Sequence, residues 1–235
     1  LFGNLADAEM RARIRAEMEV QTEPWEAFCT LATPRGTMPL GLDLPEHRKY
    51  RGWWLADIAE DMGKDWIDTA MDLVLHERQR VSTMYFLMSE ENVAMQIGQP
   101  WIKFGTDAGG IDPETASGLA HPRAYGTFTR VLGKYVREDG AATLEDAVRK
   151  MTSAVATRLR IRERGFLREG YHADVVVFDP ETVADHATYE EPHQLSTGVE
   201  HVLVNGVAVL TDGVHTGAMP GRPVRGPGWT GWETR

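Results

Sequence analysis

Between residues 80 and 151 the chain alternates strand-like and helix-like hydrophobic periods, and that alternation is the strongest constraint on its fold. RVSTMYFLM (80–88) is a short apolar run rich in β-formers. SEENVAMQIG (89–98) opens on a serine cap and closes on glycine, as a helix does. WIKFGTD (101–107) reads as a second strand ending in a polar group, and a helical stretch is predicted over about 125–138. Thr143 caps a further helix that sets Leu144, Ala147, Val148 and Met151 on one face. This order implies an α/β fold with parallel strands and right-handed crossovers. Two units are clear, whereas a closed barrel needs eight and about 250 residues. The βα part is therefore expected to belong to a larger protein, and alone to expose apolar surface and associate.

Past residue 160 the texture changes. ADVVVF (173–178) is a strand between turn signals, and VEHVLVNGVAVLTDG (199–213) is two strands joined at Asn205-Gly206, a strong hairpin signal. A tail rich in Gly, Pro and Trp follows from 217 to 235, expected to wrap a surface. Upstream, residues 4–20 read as a helix capped by Asn4 or Asp7, 26–32 as a short strand, and 33–51, with three prolines, mostly as loop. Helices are predicted over 52–62 and 65–78, the second with an apolar stripe of Ile67, Ala70, Met71 and Val74.

The net charge of −10 argues against a nucleic-acid surface, which needs clustered Lys and Arg. Arg158, Arg160, Arg162, Arg164 and Arg168 form a local basic run, but Glu163 and Glu169 interrupt it, and the alternation reads as a solvated loop rather than a phosphate site. No apolar run is long enough for a transmembrane helix. The charged N-terminal stretch has no signal-peptide core, and Cys29, the single cysteine, fits a reducing compartment, so a cytoplasmic location is expected. Cys29 is expected as a small buried hydrophobe.

The segment 101–133 carries the most distinctive phrases: a strand ending in G-T-D, then H-P-R-x-Y-G-T-F and V-L-G-x-Y-V-R. They resemble the C-terminal region of N-acyl-D-amino-acid deacylases (D-aminoacylases), of the amidohydrolase superfamily. The resemblance continues through REGYHADVVVFDP, DHATYEEPHQ and the V-N-G hairpin to GAMPGRPVR, over most of 60–225. It implies a (β/α)8 barrel of a metal-dependent hydrolase plus a small β-sandwich. Residues 1–160 would be the last βα units of the barrel, with RVSTMYFLM and WIKFGTD as strands seven and eight, and 161–235 the sandwich strands and tail.

The resemblance also implies hydrolysis of the amide bond of N-acyl-D-amino acids with zinc as cofactor. Such hydrolysis needs an activated water, a polarised carbonyl and an acid for the leaving nitrogen. The family's metal ligands lie mostly on earlier strands. No His-x-His occurs here, none of the eight histidines falls at a ligand position, and neither does Cys29. Asp107 would shuttle the proton between water and amine, near the metal; read alone, an Asp before Ala108-Gly109-Gly110 is equally a turn or cap residue. Arg123, in H-P-R, would hold the substrate α-carboxylate bidentately; otherwise it pairs with an acid such as Asp112 or Glu114. A second polypeptide supplying the missing barrel half is one expectation, another amide hydrolase of the superfamily or an inactive fragment the alternatives. Tyr125, Phe128 and Tyr135 read as helix core, and His121 as loop packing. His172, His186, His193, His201 and His215 take surface or packing roles.

Overall fold

The computed structural model describes residues 1–20, 26–112, 114–116 and 119–229; the last six residues of the predicted tail lie outside this set. The chain forms two compact units. The first comprises Leu1–Ser89, Asp112–His121 and Tyr189–Pro192, the second Glu90–Ile111, Pro122–Thr188 and His193–Arg235.

In the first unit the predicted N-terminal helix is two, α1 (Phe2–Ala6) and α2 (Ala8–Glu19). Asp7 breaks it by taking extended backbone and accepting a 2.8 Å bond from the Met10 amide, so it ends one helix and caps the next. The expected strand at 26–32 is a short helix, α3 (Phe28–Ala32). The amides of Thr30 and Leu31 bond the Ala27 carbonyl at 2.9 and 3.0 Å, satisfying locally what a strand must take from a neighbour. Strand β1 (Thr37–Pro39) lies in the region read as loop.

Helices α4 (Leu55–Asp61) and α5 (Trp66–Glu77) fall where the periodicity placed them. The α5 stripe is split between two apolar clusters: Ile67 and Met71 meet Leu5, Ile14 and Met18, while Ala70 faces Leu42, Tyr50, Leu55 and Ile58. Asp65 caps α5, and the acidic residues Asp65, Asp68 and Asp72 receive Arg11 and Arg15 from α2 at 2.7–2.9 Å. Strand β2 (Thr83–Tyr85) keeps only three residues of the predicted run and pairs antiparallel with β1, Met38 opposite Met84.

The second unit begins with α6 (Glu90–Ile97). WIKFGTD forms no strand: a parallel strand exists through its neighbours' ladder, and the described residues supply none beside it. Helix α7 (Arg123–Arg130) continues as a π-helical run, Val131–Glu138, followed by α8 (Leu144–Met151), capped by Thr143 as predicted, and α9 (Ser153–Leu159). The sheet orders β3 (Val175–Phe178), β4 (Val199–Val204), β5 (Val207–Thr211) and β6 (Val214–His215) in sequence, all antiparallel. The predicted hairpin joins β4 to β5, with Asn205 and Gly206 at φ 51° and 79°, the two left-handed residues a tight primed turn requires.

The core of this unit is Ile97, Val131, Leu132, Tyr135, Ala147 and Val183. Lys150 is fully buried, and its ammonium donates to the Ile97 carbonyl at 2.6 Å and pairs with Asp146 at 2.7 Å. That ties the C-terminus of α6 to α8, with the charge compensated as burial demands. Gly126 and Gly133, seven residues apart, let the chain at 183–185 approach closely. A Cβ would lie 2.7 Å from Asp185 Cβ in one case and 2.7 Å from the Val183 carbonyl in the other.

Candidate active site

Asp107 and Arg123 both belong to the second unit, and the fold brings them together. An Arg123 Nη lies 3.1 Å from a carboxylate oxygen of Asp107. Arg123 opens α7, where Pro122 precedes it and the helix starts two residues earlier than predicted. A cation in the first turn works against the helix dipole, an opposition worth roughly 0.3–1 kcal/mol, and the nearby carboxylate offsets it in part. Asp107 sits at φ 47°, the left-handed region that Asp tolerates better than most residues. Its side chain is 89% exposed and that of Arg123 45%.

Asp112 and Glu114 are the acids expected to compete for Arg123. The Asp112 carboxylate is used by its own turn, accepting from the Glu114 amide at 3.0 Å and the Thr115 hydroxyl at 2.9 Å. Arg123 pairs with Asp107, a partner that spacing did not single out.

Helix α7 is held by residues remote in sequence. The Tyr125 hydroxyl meets His193 Nδ1 at 2.9 Å, and the Thr129 and Ser196 hydroxyls lie 2.6 Å apart. Arg130 reaches Asp185 at 3.5 Å and Glu90 at 3.7 Å. Tyr135 is buried and donates to Glu90 at 2.8 Å; that burial and the Glu90 carboxylate push its hydroxyl pKa up. Of the three aromatics read as helix core, Phe128 departs, being 42% exposed. His121 packs edge-on against Tyr189 at 5.4 Å, within an aromatic chain that runs through Phe86 to Trp54.

The remaining histidines of the second unit serve local contacts. His186 bonds the Thr197 hydroxyl at 2.8 Å, His215 accepts from the Gly217 amide at 3.0 Å, and His201 and His172 stand 3.8 and 4.0 Å from Asp212 and Glu163. Sequence reading missed His47, buried in the first unit, whose ring meets the buried Glu77 carboxylate at 2.8 Å. Glu77 also accepts from the amides of Asp43 and Leu44 at 3.0 and 3.2 Å, fastening that loop to α5. No pattern in the sequence links positions 47 and 77. Cys29 is partly buried with Sγ 3.9 Å from the Tyr85 hydroxyl, and burial pushes its thiol pKa up, the opposite of a reactive thiolate.

Among the described residues no three His, Cys, Asp or Glu side chains converge in a way that would hold a metal ion. The donor set of the described residues therefore does not fit a zinc centre by itself.

Residues 75–210, more than half of the chain, match the amidohydrolase family, and the chain belongs to that family. Among its relatives are two enzymes of Alcaligenes xylosoxydans xylosoxydans. An N-acyl-D-aspartate deacylase is 39% identical over 181 residues, covering 74% of this chain and 35% of the relative. A D-aminoacylase is 42% identical over 168 residues, covering 72% and 33%. The N-acyl-D-glutamate deacylase of Bordetella bronchiseptica, solved with zinc and a phosphonate mimic of the reaction's tetrahedral intermediate, superposes with a TM-score of 0.64 at 42% identity, over 75% of this chain and 35% of that one. A crystal structure of D-aminoacylase gives 0.68 at 36% identity, over 89% and 44%. The chain spans about a third of the length of the curated relatives it matches.

Proposed function

We propose that this chain is the C-terminal part of a zinc-dependent amidohydrolase that hydrolyses N-acyl-D-amino acids to a carboxylate and a free D-amino acid, in the cytoplasm. The observation that carries this reading is the Asp107–Arg123 pair at 3.1 Å in an amidohydrolase chain whose relatives are D-amino-acid deacylases. Asp107 takes a proton from the attacking water and returns it to the leaving nitrogen. Arg123 receives the substrate α-carboxylate on its planar fork. A surface ion pair is worth at most about 1 kcal/mol. A substrate carboxylate can therefore displace Asp107 from Arg123, and doing so releases the aspartate for proton transfer.

In this reading residues 1–160 contribute the last βα units of a (β/α)8 barrel and 161–235 the strands of a small β-sandwich. The barrel's other strands and the zinc ligands come from outside this chain, on a longer or a second polypeptide. The exposure of Trp101, the first residue of the segment assigned to barrel strand eight, supports such a missing neighbour. Because the described residues lack a three-ligand set, the chain alone is inactive.

The test is release of D-amino acid from N-acetyl-D-amino acids by the complete, zinc-loaded protein, with this chain alone as comparison. Intact mass and zinc content of the complex establish its assembly first. A folded, zinc-loaded complex that ignores the D-derivatives but cleaves other amides would overturn the substrate; activity of this chain alone would overturn the division of labour.

A further inference from the structure

Helix α7 carries Arg123 in its first turn, and a first turn is where a helix is weakest, because its amides lack partners within the helix. The N-cap here is Pro122, whose side chain has no oxygen to offer those amides. The Arg123 side chain is half-exposed, so its guanidinium goes where the backbone of that turn goes. A fork that is to meet a carboxylate in one geometry needs the turn held from outside the helix.

The segment 193–196 holds it. The Tyr125 hydroxyl meets His193 Nδ1 at 2.9 Å, and the two rings stand edge-on with centroids 5.5 Å apart. The Ser196 hydroxyl donates to the Tyr125 carbonyl at 3.3 Å and lies 2.6 Å from the Thr129 hydroxyl, one turn further on. Residues two apart on a helix point to different sides. Arg123 faces Asp107, while Tyr125 faces His193. The turn is thus gripped from the side away from the fork, by a residue 68 positions distant in sequence. Both rings are half-buried, where water competes less for their hydrogen bond.

We infer that His193 is a positioning residue for substrate binding: through the Tyr125 hydroxyl it fixes the first turn of α7, and so the direction of the Arg123 fork. The inference rests on the reading of Arg123 as the clamp for the substrate α-carboxylate, and extends it to residues outside the clamp. A bidentate pair is directional, so a displaced fork loses affinity even with its charge intact. Breaking the His193–Tyr125 bond therefore weakens the hold on carboxylate substrates and leaves the chemistry at the amide as it was.

The test is steady-state kinetics of the complete, zinc-loaded protein on N-acetyl-D-amino acids and on neutral analogues whose α-carboxylate is replaced by an amide. Tyr125→Phe and His193→Phe each keep a ring and lose one hydrogen-bonding group. Each is expected to raise KM for the carboxylate substrates about three- to tenfold, as loss of one bond predicts, with kcat and the neutral analogues little changed. The double variant should be no worse than either single one, because both remove the same bond. His193→Asn, whose amide can stand where Nδ1 stood, should bring KM back close to the parent's. His215→Phe, which alters a ring serving the Gly217 amide, should behave as the parent does. If His193→Phe loses its thermal transition, Tyr125→Phe and His193→Asn carry the comparison. Arg123→Ala, measured alongside, separates two failures. If it raises KM for the carboxylate substrates and the Tyr125 and His193 variants do not, the clamp stands and the positioning role is overturned. If Arg123→Ala leaves that KM unchanged, or the parent ignores these substrates, the clamp reading fails and the inference falls with it. Additive effects in the double variant, or equal losses on both substrate types, indicate general loosening of the fold and also overturn it.

Discussion

Arg123, in the first turn of α7, holds the carboxylate of Asp107 at 3.1 Å, across a stretch of chain that sequence reading could treat only as a loop. In the proposed reaction these residues do different work, so their removal should separate kinetically. In the complete protein, Asp107→Asn is expected to lower kcat by about 10²–10⁴ with little change in KM, the scale of a lost general acid–base. Arg123→Ala should raise KM for N-acetyl-D-amino acids while leaving neutral amide analogues little affected. Steady-state kinetics on both substrate types checks this, and parallel effects of the two variants would contradict the assigned roles.

Gly126 and Gly133 should not tolerate a methyl group. A Cβ at either position sits 2.7 Å from an atom of the 183–185 segment, so Gly126→Ala and Gly133→Ala should each destabilise by about 1–3 kcal/mol. Gly109, with nothing within 4 Å, is the control, where Ala should be nearly neutral. Urea unfolding midpoints compare the three.

Asp72 gives the first unit an acid limit. Burial opposes its ionisation, but bonds from Lys64 and Arg11 outweigh that and hold its pKa below the usual carboxylate range. A group depressed on folding contributes stability above its unfolded pKa, near 3.9, and loses it as pH falls through the folded value. The difference in unfolding free energy between parent and Asp72→Asn, read from urea unfolding, should thus be full at pH 6, about 1–3 kcal/mol, and shrink below about pH 4. A gap independent of pH would contradict the ionic origin.

Tyr85 works in the opposite sense. Burial, then the neighbouring Cys29, pushes its pKa up to about 12. Stability from keeping this phenol neutral is complete below its unfolded pKa, about 10, and is lost as pH rises from there through the folded value. Ultraviolet titration of parent against Tyr85→Phe should show one phenolate appearing only near pH 12; ionisation near 10 would contradict it.

Where bonds are local, sequence and structure agree. Asp7 and Thr143 cap the helices they precede, the α5 stripe is buried, and Asn205-Gly206 makes its hairpin, because each depends on residues within a few positions. The phrases around Asp107 and Arg123 were legible in the same way, as short patterns. Tertiary context decided the rest. Residues 101–107 have a strand's composition but no ladder partner, and 26–32 took local helical bonds for the same reason. Only folding could set Arg123 against Asp107, His193 against Tyr125, or Arg225 beside Arg160 and Arg162. Those contacts join positions far apart in sequence, and local periodicity carries no information about which distant side chain will meet a given charge.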